Sequence, residues 1–174
     1  MAYMPDLNTF EQSCKQGNLI PVWRELLADQ ATPLSVYERL KTRLHRNRPG
    51  GFSFLLESVE GGERFARFSF LGGDPQVVFT ASGRTVTYIH RDGTRRTLQD
   101  VDPLSELRDH MRRYQPVLDA GLPRFFGGAV GYIGYDAVAQ FEPIPLSKDP
   151  ALGWPDMVLG ITDTMVIFDH LRHT

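Results

Sequence analysis

The sequence predicts an α+β fold: an antiparallel β-sheet meander with helices packed on one side. Three observations point there. Two turn signatures, Ser82-Gly83 and Asp92-Gly93, separate short runs with strand character. Two steps, Thr32-Pro33 and Asp102-Pro103, place a capping side chain before a proline, and apolar residues at helical spacing follow each. The order helix, strand, helix, several strands, helix, strands is that of an antiparallel sheet with helices on one face.

Taken in order, Leu7, Phe10 and Cys14 fall on one face of a short helix over residues 6–16, which Gly17 can stop. On that face Cys14 reads as a core residue rather than a nucleophile. Leu19, Ile20, Val22 and Trp23 suggest a strand over 18–25. Thr32-Pro33 starts the next helix. There Val36, Leu40 and Leu44 recur every four residues, and the helix ends near Asn47, before Pro49-Gly50. Extended runs follow over 52–59, 65–72, 75–81, 84–91 and 94–99, with links short enough to predict pairing of each with the next. Asp102-Pro103 opens another helix whose buried stripe is Leu104, Leu107, Met111 and Tyr114. Phe125 to Tyr135 is apolar and glycine-rich, Glu142 to Pro150 is a charged, proline-containing loop, and Asp156 to Asp169 ends as a strand.

The 174 residues suit one domain, or a piece of something larger, and a 41% hydrophobic content is enough for a real core. A net charge of −2 makes no electrostatic case for nucleic acid or an anionic membrane. The one basic cluster, Arg91, Arg95 and Arg96, reads as solvated charge around a hairpin turn. Cys14 is the single cysteine, so no intrachain disulfide can form, and no Cys/His spacing suggests zinc. The N-terminus has no basic or apolar targeting pattern, and no span approaches the ~20 apolar residues of a membrane helix. The default compartment is the cytoplasm. Met165 to His170 reads as a strand four residues from the end, which suggests a longer parent protein.

The candidate site is Phe54-Leu55-Leu56-Glu57-Ser58 with Arg67-Phe68-Ser69-Phe70-Leu71-Gly72. An apolar run ends in a carboxylate and a hydroxyl, so a hairpin would set a small polar cluster at the end of an apolar surface. That suits a small ligand with one charged and one apolar end. The same residues also read as a plain polar strand end before the Glu60-Gly61-Gly62-Glu63 turn. In a regular strand Leu56 and Ser58 share a face and Glu57 points away, so all three line one pocket only if the strand bends. Phe68 and Ser69 on the neighbouring strand can approach the cluster. Phe126 to Asp136 matches neither the G-x-G-x-x-G nor the Walker pattern. Its glycines point instead to close backbone approach or a packed interface, which Tyr132 and Tyr135 also suit.

Four segments together make the chain resemble the N-terminal domain of anthranilate synthase component I. They are Gly17-Asn18-Leu19-Ile20-Pro21-Val22 with Arg24 to Asp29, then Thr32-Pro33-Leu34-Ser35-Val36-Tyr37. The third is Leu55-Leu56-Glu57-Ser58 with Arg67 to Gly72. The fourth is Gly127-Gly128-Ala129-Val130-Gly131-Tyr132-Ile133-Gly134-Tyr135-Asp136, echoed by Pro155-Asp156-Met157 and Phe168-Asp169-His170. The resemblance spans nearly all of residues 1–174 and implies the N-terminal half of a larger layered α/β/β/α chorismate-utilising enzyme. It implies a parent that makes anthranilate and pyruvate from chorismate, with ammonia from glutamine supplied by an amidotransferase subunit, component II. Mg2+ and the catalytic residues then belong to a C-terminal catalytic domain absent here, so the fragment alone is expected to be inactive and to hold neither.

The resemblance further implies that L-tryptophan inhibits the enzyme from a site shared by the two domains. Leu56, Glu57 and Ser58 supply this half, with Phe68 and Ser69 as possible additional contacts. In some members a lysine stands near the position of Phe68, which would remove one polar contact here. The related component I of aminodeoxychorismate synthase is the nearest alternative, and a stand-alone, non-catalytic amino-acid-binding module is another. In a purely structural domain Ser58→Phe would leave regulation untouched.

Overall fold

The computed structural model describes residues 2–47, 51–57, 67–119, 121–140, 142–145 and 153–174. The Glu60-Gly61-Gly62-Glu63 turn, the expected helix stop at Pro49-Gly50, part of the Glu142 to Pro150 loop and Ser58 itself lie outside the described residues.

Helix α1 (Leu7–Ser13) begins where the Asp6 carboxylate accepts the Thr9 amide at 3.0 Å. It buries no residue, and Cys14 is exposed. The core placement expected for Cys14 is therefore corrected: on this seven-residue helix Leu7 and Cys14 are exposed and Phe10 is half-buried. The strand expected over 18–25 shrinks to two isolated bridges, Met4 with Trp23 and Leu19 with Pro116. Pro21 sits between them and has no amide to give a ladder.

Helix α2 (Pro33–Asn47) starts at a reciprocal cap. The Ser35 amide donates to Thr32 Oγ1 at 3.1 Å, and the Thr32 amide donates to Ser35 Oγ at 3.0 Å. Helix α3 (Pro103–Met111) starts at Asp102, whose carboxylate accepts from the Leu104 amide and the Ser105 hydroxyl at 3.3 and 2.6 Å. Those hydrogen bonds, Ser105 first, hold the Asp102 carboxyl below its ordinary range.

The strands are β1 (Ser53–Leu56), β2 (Phe68–Gly73), β3 (Val77–Ser82), β4 (Thr85–His90), β5 (Arg95–Leu98), β6 (Gly128–Ile133), β7 (Met157–Thr162) and β8 (Met165–Asp169). All their pairings are antiparallel. They form a three-stranded sheet, β1-β2-β8, and a five-stranded sheet, β5-β4-β3-β7-β6. The meander holds for β1–β2 and for β3–β4–β5, as the turn signatures predict. It breaks between β2 and β3: β2 pairs with β8, and β3 pairs with β7. Asp74 at φ +49° and Pro75, which cannot donate to a ladder, redirect the chain there. Residues 156–169, expected to end as one strand, instead form β7 and β8, and Asp163-Thr164 carries the chain between sheets.

The core lies on the larger sheet, where Phe79, Val86 and Met157 are fully buried. Leu104, Leu107 and Met111 of α3 pack against it, as their spacing predicts. Helix α2 covers the smaller sheet instead, with Tyr37 Oη 3.1 Å from Ser53 Oγ and Leu44 against Gly73. The helices thus serve separate sheets, α2 on β1 and β2, α3 on β4.

A groove lined by an aromatic cluster and one carboxylate

Leu56, the last residue of β1, pairs with Phe70 of β2. Directly opposed residues project to the same face, and alternation puts Phe68 there too. Ser53, Leu55, Ser69 and Leu71 take the other face, under α2. Phe68 and Phe70 have ring centroids 6.1 Å apart. Phe125, just before β6, meets Phe70 edge-on at 5.2 Å and 79°. These residues, with the stretch Ala129 to Gly131, wall an open groove of about 510 Å³ between strands of the two sheets.

Glu57 follows the end of β1 and lines this same groove. The strand stops at Leu56, so strict alternation does not hold one residue later, and Leu56 and Glu57 reach one surface. Glu57 is the one ionisable residue among the described groove-lining residues. The groove therefore offers an aromatic and aliphatic wall with a single negative charge at its rim. Such a surface complements a ligand with a flat apolar body and a cationic group.

One groove wall is held by a neighbour in the fold. The Arg67 guanidinium lies 4.7 Å from the centroid of the Phe68 ring, and the same group donates to Asp169 through Nε at 3.1 Å and Nη2 at 2.6 Å. The Arg67 hydrogen bond comes first among the causes that hold the Asp169 carboxyl below its ordinary range. The amides of Leu171 and Arg172 lower it further, and burial opposes them. Gly131 lies so close to β7 that a Cβ there would run into the Val158 carbonyl oxygen. The close backbone approach expected of the glycine-rich segment is realised at that residue.

Of the site residues read from the sequence, Leu56, Glu57 and Phe68 come together at the groove. Ser69 lies on the opposite face of β2, buried, with Oγ 2.7 Å from His170 Nε2. Phe70 lies within the candidate stretch but outside its expected ligand contacts, and Phe125 lies outside the stretch altogether. Phe70 could have been counted among those contacts, because it alternates with Phe68 on one strand. Phe125 and the β6 residues join the groove only through tertiary folding, and no local pattern announces that.

Among the described residues no group of three or more His, Cys, Asp or Glu is placed to hold a metal ion. No helix among them is long and apolar enough to cross a membrane.

No protein-family model matches the chain. Anthranilate synthase component 1 of Acinetobacter calcoaceticus is 40% identical over 179 residues, covering 98% of this chain and 34% of that protein. The Pseudomonas putida protein of the same name is 42% identical over 157 residues, covering 88% of this chain and 30% of that protein. A crystal structure of anthranilate synthase component I from Streptococcus pneumoniae TIGR4 superposes with a TM-score of 0.51 at 26% identity, over 87% of this chain and 30% of that one. The chain spans about a third of the length of the curated relatives it matches. Over nearly all of its own length, this chain is a relative of the N-terminal third of anthranilate synthase component I.

Proposed function

We propose that this chain is the N-terminal regulatory and structural domain of an anthranilate synthase component I, and that its groove is part of an L-tryptophan feedback-inhibition site. The observation that carries the reading is the meeting of Leu56, Glu57, Phe68, Phe70 and Phe125 at one groove. The indole of tryptophan would lie against the aromatic wall, and its ammonium would meet Glu57. The carboxylate needs donors, which Ser58 and the second domain of the parent protein would supply.

The parent enzyme, a lyase, would convert chorismate and ammonia to anthranilate and pyruvate in tryptophan biosynthesis, in the cytoplasm. A glutamine amidotransferase subunit would deliver the ammonia. Catalytic residues and Mg2+ would reside in the part of the parent that this chain does not span, so the chain alone would not catalyse the reaction. Inhibition would follow from tighter binding of tryptophan to a domain arrangement with weak chorismate affinity, because an effector shifts an equilibrium only by its differential affinity.

Calorimetric titration of L-tryptophan into the full-length parent tests the assignment. Glu57→Gln and Phe70→Ala are each expected to weaken binding about tenfold or more, or roughly 1.4 kcal/mol. Unchanged affinity in both variants would remove the groove from the tryptophan site.

A further inference from the structure

A second cavity, of about 320 Å³, is lined by other residues of the segment that walls the groove. Phe125 lines the groove, whereas its neighbour Phe126 lines the cavity, followed by Gly127 and Gly128. Adjacent residues of one strand lead-in thus point into two different spaces. Met111 at the end of α3 and Ile161 of β7 supply more of the apolar wall, and Leu118 contributes from the loop between α3 and β6.

The polar side chains of the cavity divide into engaged and unengaged ones, and Thr162 Oγ1 is engaged, donating to the Thr164 carbonyl at 3.1 Å. Arg124, Gln76 and Tyr114 all line it, and none of their side chains takes part in a hydrogen bond or ion pair within the described structure. The one acidic side chain on the wall, Asp163, accepts from Arg91 Nη2 at 2.9 and 3.2 Å, and that guanidinium also lies 3.4 Å from the Asp74 carboxylate. Arg124 is the one cationic side chain on the wall, with an amide and a phenol beside an apolar chamber, and the Asp163 carboxylate is turned to Arg91. The volume is at the small end of ligand pockets.

We propose that this cavity is a second small-molecule site, distinct from the groove, which takes a compact carboxylate with an aromatic or branched apolar body. The carboxylate pairs with Arg124, whose planar guanidinium can donate two parallel hydrogen bonds to it. The apolar body displaces solvent from Met111, Phe126 and Ile161. The proposal does not depend on what occupies the groove.

Methyl-labelled full-length protein titrated with hydrocinnamate tests it. Met111 and Ile161 methyl signals report on the cavity, while Leu56 and Val130 report on the groove. Saturable shifts are expected at Met111 and Ile161 with Leu56 and Val130 silent. The uncharged amide of the same acid, and the exposed-site variant Arg124→Gln, are each expected to weaken binding about tenfold, and Arg124→Lys is expected to recover part of the loss. No saturable shift at Met111 and Ile161, shifts confined to the groove reporters, or affinity indifferent to Arg124→Gln would each overturn the proposal.

Discussion

Arg91 Nη2 donates to Asp163 Oδ1 at 2.9 Å, and the same guanidinium donates to the Asp74 carbonyl through Nε and Nη2 at 3.0 and 2.6 Å. Asp74 and Asp163 are the two places where the chain passes from one sheet to the other. One arginine at the end of β4 therefore ties both crossings together. From the sequence, Arg91 reads as a solvated hairpin charge; instead it fastens the junction of the two sheets.

Arg91→Ala is expected to cost about 1–2 kcal/mol, more than an ordinary surface ion pair, because two hydrogen bonds to a backbone carbonyl go with it. That corresponds to a melting temperature lower by about 2–8 °C for a chain of this size. Arg91→Lys should recover less than half, since an ammonium cannot reach both crossings with the geometry of a planar fork. Thermal unfolding followed by circular dichroism measures both.

Asp169 gives a pH signature. Its carboxyl is held below the ordinary range in the fold, chiefly by Arg67. A depressed native value means that its stabilisation is complete above the unfolded value near ~3.9 and is lost as pH falls through the native one. Asp169→Asn is expected to cost about 2 kcal/mol at neutral pH, with the gap to the wild type constant down to about pH 5 and closing below about pH 4. Urea unfolding across that range checks it. A gap that persists at low pH would assign the effect to packing rather than charge.

His110 behaves in the opposite chemical sense with the same sign in pH. It is buried on α3 between the rings of Tyr88 and Tyr114, with centroids at 5.3 and 5.8 Å, and its Nε2 meets no hydrogen-bond partner among the described residues. Burial first, then Arg113 and His90, push its pKa down. The unfolded chain therefore binds a proton, near pH ~6.5, before the folded one does, and stability falls as pH drops below that value. His110→Phe is expected to remove part of this slope, at most about 1.4 kcal/mol per pH unit, between roughly pH 6.5 and 5. Denaturation midpoints at a series of pH values read it directly.

Local chemistry was the legible part of this fold. Thr32-Pro33 and Asp102-Pro103 became the capped starts of α2 and α3, and the Asp92-Gly93 signal became the β4–β5 turn. Nothing local told β2 to pair with β8 rather than β3, because that choice depends on strands about a hundred residues apart. The same limit governed the groove. Leu56, Glu57 and Phe68 could be found along the chain, but Phe125 reaches Phe70 only once both sheets have formed. Ser69 was separable in advance, since it alternates with Phe68 and Phe70 and so faces α2. Cys14 misled because helical spacing describes a face without saying whether anything covers it.

The parent proposed for this chain is a feedback-regulated anthranilate synthase of which it forms the N-terminal domain. The most direct measurement supplies that parent with chorismate, Mg2+ and an ammonium salt and follows anthranilate fluorescence with and without L-tryptophan. Anthranilate that forms, and stops forming when tryptophan is added, is the expected result. An aminated chorismate that keeps its pyruvyl group, or anthranilate formation indifferent to tryptophan, would contradict it.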